Sequence, residues 1–188
     1  LYTQQENDMS EESSVLHMEA VTYRETVRES DAADVRHIVH ATGFFTPDEE
    51  DVAEELVLER LAQGEDSGYY FVFAEQDGTV LGYTCYGPTP ATEGTYDLYW
   101  IAVAPVCRHM GLGKRLLAVT VDKVRAMEGR LLFAETSGME KYVSTRRFYE
   151  RTGFTAEAVL KDFYRCSRIF TGRVTTRSST GWKCRQRG

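Results

Sequence analysis

The chain has 188 residues, 42% of them hydrophobic and 27% charged, with a formal net charge of −7, which suits one globular domain with a sizeable core. The acidic balance disfavours nucleic acid as a partner, and no apolar run approaches the ~20 residues that cross a bilayer. The four cysteines, Cys85, Cys107, Cys166 and Cys184, lack CxxC spacing and nearby histidine pairs, so neither a metal site nor a disulfide framework is expected.

Residues 1–17 are polar and acidic without periodicity and read as a flexible tail. No basic stretch followed by an apolar one opens the sequence, so the cytoplasm is the expected compartment. Residues 21–27 alternate as a first strand. Ser30 is placed to cap a helix, with Asp31 and Asp34 in its first turn, Val35, Ile38 and Val39 behind them, and Gly43 at its end. Pro47, Asp48, Glu49 and Glu50 open a second helix, which stops at Gly64; Val52, Leu56, Leu58 and Leu61 are expected to form its buried face. The aromatic, β-branched run 69–75, the Asp77-Gly78 pair and residues 80–86 read as a hairpin. Residues 95–104 form another strand, with Asp97, Tyr99, Ile101 and Val103 assigned to one face and Leu98, Trp100 and Ala102 to the other. A helical period over 112–127, a strand over 130–136, a short helix over 142–151 closed by Gly153, and a strand over 154–164 complete the pattern. The order β-α-α-β-β-β-α-β-α-β predicts an α/β (α+β) fold: a mixed, mostly antiparallel central sheet with helices on both faces.

The charge is uneven. Residues 163–188 hold seven Lys and Arg and no Asp or Glu. The folded domain is therefore expected to span 18–164, followed by an atypical basic tail over 165–188, although weak alternation over 168–174 would fit a short strand.

The chemistry concentrates in Arg108-His109-Met110-Gly111-Leu112-Gly113-Lys114, which joins the 95–104 strand to the 112–127 helix. A helix N-terminus offers free N–H groups and partial positive charge, and glycines let a phosphate come close to the backbone. Arg108, Lys114 and Arg115 add cations. The dinucleotide fingerprint fails because position 116 is Leu, and a Walker loop fails because Arg108 and Arg115 stand where Gly and Ser or Thr belong.

What remains is Arg-x-x-Gly-x-Gly after a strand ending Ile-Ala-Val-x-Pro, and this closely resembles the GNAT N-acetyltransferase family. Phe148-Tyr149-Glu150-Arg151-Thr152-Gly153-Phe154 resembles that family's downstream FYxxxGF segment, and the resemblance covers about 21–164. It implies acetyl-CoA as co-substrate and no metal. Ile101, Ala102 and Val103 would bind the pantetheine arm by backbone hydrogen bonds, as an added strand does. The amides of His109, Met110, Gly111, Leu112, Gly113 and Lys114, with Arg108 beside them, would hold the pyrophosphate. The Val103 amide would polarise the thioester carbonyl. Tyr149 matches the family's general acid toward the leaving thiolate, besides touching the cofactor. Two carboxylates are candidates for the base: Asp97 stands where histone-acetylating members carry a glutamate, and Glu135 resembles the glutamate of ribosomal-protein N-terminal acetyltransferases. Tyr142 departs from the pattern, since many members have Asn there.

The function this implies is acetyl transfer to the primary amine of a small molecule, by direct attack in a ternary complex. Protein or peptide acetylation and a non-catalytic CoA-binding module are the alternatives. The resemblance leaves room for a homodimer, and the acceptor pocket is expected near Phe44, Phe45, Tyr83 and Tyr99.

Overall fold

In the computed structural model, residues 20–164 and 167–175 are described. The 1–17 tail and Trp182 lie outside them. The elements run β1 (Thr22–Arg24), α1 (Ser30–Thr42), α2 (Pro47–Gln63), β2 (Tyr70–Gln76), β3 (Thr79–Pro88), β4 (Thr95–Val103), α3 (Leu112–Ala126), β5 (Leu131–Ser137), α4 (Val143–Arg151), β6 (Thr155–Tyr164) and β7 (Ser167–Thr175). They make one seven-stranded sheet in the order β1-β2-β3-β4-β5-β7-β6. Among the described strands only β4 and β5 pair in parallel; α3 is their crossover.

The expected mixed sheet is present, with one strand more. The basic tail was expected to begin at residue 165, but β7 lies inside the sheet between β5 and β6, so the folded unit continues through Thr175. The weak alternation over 168–174 is the signal of this strand. Its cationic composition hid it, because Arg173 pairs at 2.8 Å with Glu157 across the β6–β7 hairpin.

Alternation sends the two faces of the sheet into two cores. On one face, Leu112, Leu116, Leu117 and Val124 of α3 pack on Val72, Leu98, Leu132 and Ala134. On the other, Val35, Ile38 and Val39 of α1 and Ala53 and Val57 of α2 pack on Phe71, Phe73, Tyr83 and Cys85. The Asp77-Gly78 turn has both residues at positive φ, 52° and 80°, as a two-residue hairpin of matching twist requires.

Helix α2 turns differently from expectation. Val52, Leu58 and Leu61 are 46%, 48% and 37% exposed, whereas Ala53 and Val57 are fully buried. The line Glu50-Ala53-Val57 faces inward because small Ala53 lets α2 lie close on α1 and because the buried Glu50 carboxylate meets His40 Nδ1 at 3.0 Å. The N-terminus of α2 carries a capping box between Thr46 and Glu49. At the start of α1, Ser30 makes no cap; the Asp31 carboxylate accepts the Arg28 amide at 2.7 Å instead.

Asp31 also ties three elements together. Its fully buried carboxylate receives both Arg24 Nη atoms at 2.8 Å, and Arg24 Nε reaches Glu75 Oε2 at 2.9 Å while its guanidinium lies 4.5 Å over the Phe73 ring. Asp31→Asn leaves Arg24 short of its buried counter-charge. We expect a loss of about 3 kcal/mol in stability, read as a lower urea midpoint with an unchanged denaturant slope.

Candidate active site

The site begins where two strands part. The β4–β5 register runs from Thr95–Leu131 to Leu98–Ala134 and stops there, although β4 continues to Val103 and β5 to Ser137. Beyond that point β4 still pairs with β3, and β5 with β7, so each strand has one satisfied and one open edge. An open edge of a strand offers a row of unpaired N–H and C=O groups to an extended ligand. Ile101, Ala102 and Val103 lie on this edge and line the resulting cleft.

A β-bulge starts the parting. Cys85 pairs with Trp100 and Tyr86 with Leu98, which leaves Tyr99 as the extra residue. The bulge reverses the alternation along β4, and this corrects the expected faces. Leu98 shares the α3 side with Ile101 and Val103, while Trp100 and Ala102 pack on the α1/α2 side. Asp97, one step before Leu98, therefore falls on the α1/α2 side, apart from Ile101 and Val103. Glu135 follows Ala134, which is in the α3-side core, so it too projects to the α1/α2 side. With Asp97 in register with Phe133, the two carboxylates flank the parting strands on one face of the sheet. Asp97 accepts a 2.8 Å hydrogen bond from Thr89 Oγ1; Glu135 is exposed in the cleft.

On the α3 side lies the glycine turn. His109 (φ 65°) and Gly111 (φ 84°) are left-handed and curl the backbone back on itself. The amides of Met110 and Arg115 bond to Cys107 O at 3.4 Å and Gly111 O at 3.1 Å; those of His109, Gly111, Leu112, Gly113 and Lys114 have no backbone acceptor. Such a run of free N–H groups at a helix start is an anion nest. Nothing lies within 4 Å of where a Gly111 Cβ would stand, so the space is open to a ligand. These residues fit a pyrophosphate. Met110 is the exception in the predicted set: its side chain is exposed and does not line the cleft, and its amide is used internally. Leu112 contributes its amide only, since its side chain is core.

Tyr149 reaches the cleft from α4, packed against Phe148 and Phe154 with ring centroids 5.4 and 5.0 Å away. Burial pushes its phenol well above the ordinary tyrosine range, so it holds its proton. Tyr99 is pushed up to about 12 by burial, by the Asp97 charge and by Tyr69.

Sequence reasoning did not find how the α1–α2 connection is fixed. Three side chains converge on it. Arg108 Nη2 donates to Thr42 O at 2.8 Å and lies 5.7 Å from the Phe44 ring; Lys141 Nζ donates to Phe44 O at 2.8 Å; Tyr142 Oη donates to the same carbonyl at 3.3 Å, with its ring 5.7 Å from Phe44. Arg108 lines the cleft, but its guanidinium is turned to this loop. Tyr142, the departure noted from the sequence, stands at the N-cap position of α4 and turns its side chain to clasp the loop. Phe45, next along, packs tilted against Trp100 with ring centroids 5.1 Å apart. Of the aromatics expected near the acceptor, Phe44, Phe45 and Tyr99 line the cleft, whereas Tyr83 is fully buried in the α1/α2-side core.

Residues 32–154 match the model of the Acetyltransferase (GNAT) family. The chain belongs to that family. As a GNAT member it is an acetyl-CoA-dependent N-acetyltransferase. It is similar at 60% identity, TM-score 0.83, to a Desulfovibrio desulfuricans protein assigned to the GNAT acetyltransferases, over 84% of this chain and all 100% of that one. The fold is shared with a Salmonella typhimurium protein assigned as an acetyltransferase and solved with acetyl-CoA (20% identity, TM-score 0.64, 88% of this chain and 99% of that one). It is shared too with an aminoglycoside 6′-N-acetyltransferase solved with coenzyme A (16%, 0.67, 84% and 97%). No curated protein matches the sequence. Among the described residues, no helix of this GNAT enzyme is long and apolar enough to cross a membrane, and no group of three or more His, Cys, Asp or Glu could hold a metal ion.

Two variants test the site. Gly111→Glu places a charged side chain in the nest at a φ that L residues rarely adopt. It should abolish acetyl-CoA binding by calorimetry while circular dichroism stays native; normal binding would remove the nest from the site. Tyr142→Phe deletes one donor of the clasp. It should raise the KM of the acceptor several-fold and leave the KM of acetyl-CoA unchanged, the reverse of what an Asn-like cofactor contact would give.

Proposed function

We propose that this GNAT acetyltransferase moves the acetyl group of acetyl-CoA to the primary amine of a small molecule, by direct attack with donor and acceptor bound together. The observation that carries this reading is one continuous cleft of about 1820 Å³ that passes between the parted strands, with the anion nest on one side of the sheet and two carboxylates on the other. A single small-molecule site occupies roughly 300–1,000 Å³, so the cleft has room for two ligands at once. The compartment proposed is the cytoplasm.

Acetyl-CoA supplies an activated acyl group and a thiol leaving group. In this reading the free amides from His109 to Lys114 bind the pyrophosphate, and the open edge at Ile101, Ala102 and Val103 orients the pantetheine. The Val103 amide stabilises negative charge that develops on the carbonyl oxygen. The amine must lose a proton to attack, and Glu135 takes it, directly or through water. Asp97 is shorter and hydrogen-bonded to Thr89, which suits it to orienting the ammonium. As the new C–N bond forms and the C–S bond breaks, Tyr149 gives its proton to the sulfur.

Tyr149→Phe should lower kcat about 100-fold or more with little change in either KM, measured by thiol release. Glu135→Gln should cost more in kcat than Asp97→Asn. A group that works protonated fails above its pKa, and burial has raised that of Tyr149. Activity should therefore rise with pH as the amine deprotonates and show no decline at the ordinary tyrosine pKa of about 10. A decline centred there would take Tyr149 out of the acid's role.

A further inference from the structure

The cleft is divided by charge along the sheet. Lys114 of the turn and Arg147 and Arg151 of α4 line its α3/α4 side, where the anionic donor belongs, while the Arg108 guanidinium is spent on Thr42 O of the α1–α2 loop. Asp97 and Glu135 line the α1/α2 side, joined by Asp48 from the first turn of α2. Lys141 also lines the cleft, with its ammonium bonded to Phe44 O.

The acidic side has an apolar wall. Phe45 lies 5.1 Å from Trp100, and Tyr69 stands edge-on to Tyr99 at 5.6 Å. Val52 and Leu56 of α2 complete it, and Val52 and Tyr99 remain 46% and 37% exposed. Val52 thus sits off the core line Glu50-Ala53-Val57, while the partly buried Leu56 bridges that core and the cleft. Aromatic faces attract organic cations, and apolar walls gain from contact with an apolar body. Carboxylates in the same space attract an ammonium and repel an anion.

We propose that the acceptor is a primary alkylammonium carrying an aromatic or other apolar body and no carboxylate, its nitrogen held at Asp97 and Glu135 and its body against Phe45, Trp100, Tyr99 and Val52. This rests on the acetyl-transfer reading above and narrows it. It excludes zwitterionic amino acids, which bring a carboxylate among carboxylates, and polyamines, which leave the apolar wall bare.

Three probes separate these chemistries: 2-phenylethylamine, phenylalanine, which is the same body with a carboxylate, and spermidine. Turnover is followed by thiol release at saturating acetyl-CoA, and binding by calorimetry on the CoA-loaded protein. 2-Phenylethylamine should exceed both others by about tenfold or more in kcat/KM and in affinity. Trp100→Leu should erase most of that margin through the KM of the amine, with the KM of acetyl-CoA unmoved. Val52→Ser, at an exposed position that folding tolerates, should reduce the margin several-fold in the same way. Equal or reversed preference, or no binding of 2-phenylethylamine, overturns the inference; turnover of phenylalanine or spermidine would then leave the acetyl-transfer reading standing. Preferential binding of 2-phenylethylamine without turnover of any amine upholds the site's chemistry and sinks the acetyl-transfer reading instead.

Discussion

Everything at the site depends on two parallel strands that stop hydrogen bonding halfway. Below Leu98–Ala134, β4 and β5 are an ordinary ladder; above it they diverge, each still anchored on its far side. Divergence costs several backbone hydrogen bonds, and exposed polar groups in a narrow cleft are tolerable only with water or a ligand to satisfy them. The Tyr99 bulge makes this geometry a property of the fold. An added residue twists and bends β4 at the point where pairing with β5 ends. A cofactor arm that supplies the missing hydrogen bonds completes the sheet.

The rest of the molecule keeps that opening in place. The α3 crossover drops its N-terminus, with its free amides, at the end of β4. On the opposite face, α1 is tied to the sheet by Asp31, Arg24 and Glu75, and α2 packs on α1. Their connecting loop is held over the cleft by Arg108, Lys141 and Tyr142. Arg108 thus belongs to the glycine turn by sequence and to the α1–α2 loop by contact, which links the two sides of the cleft through one side chain.

Local patterns in the sequence were enough to place most elements and the nest. Asp77-Gly78, Pro47 at the start of α2, and the glycines at 111 and 113 each act through their own backbone, so their structure can be read from neighbours in sequence. Features set by contacts between distant segments were not legible in this way. The bulge at Tyr99 exists only relative to β3, and without it Asp97 is assigned to the wrong face. The inward line of α2 is chosen by how closely Ala53 approaches α1, not by which residues are most apolar. Strand β7 looked like a tail although its Arg173 is answered by Glu157 of β6, and Tyr142 could be recognised as unusual but not as a clasp.

The position of β7 has a consequence for how the chain is made. Strand β5 carries Glu135, and its far edge is covered only by β7, which leaves the ribosome after β6 and must insert between β5 and β6. Every other wall of the cleft is synthesised earlier. The glycine turn, the aromatic wall and Tyr149 therefore all precede in the chain the strand that covers that side of β5. The last described strand to emerge is the one that fixes the wall of β5, so assembly of the catalytic cleft is completed from the C-terminal end of the sheet.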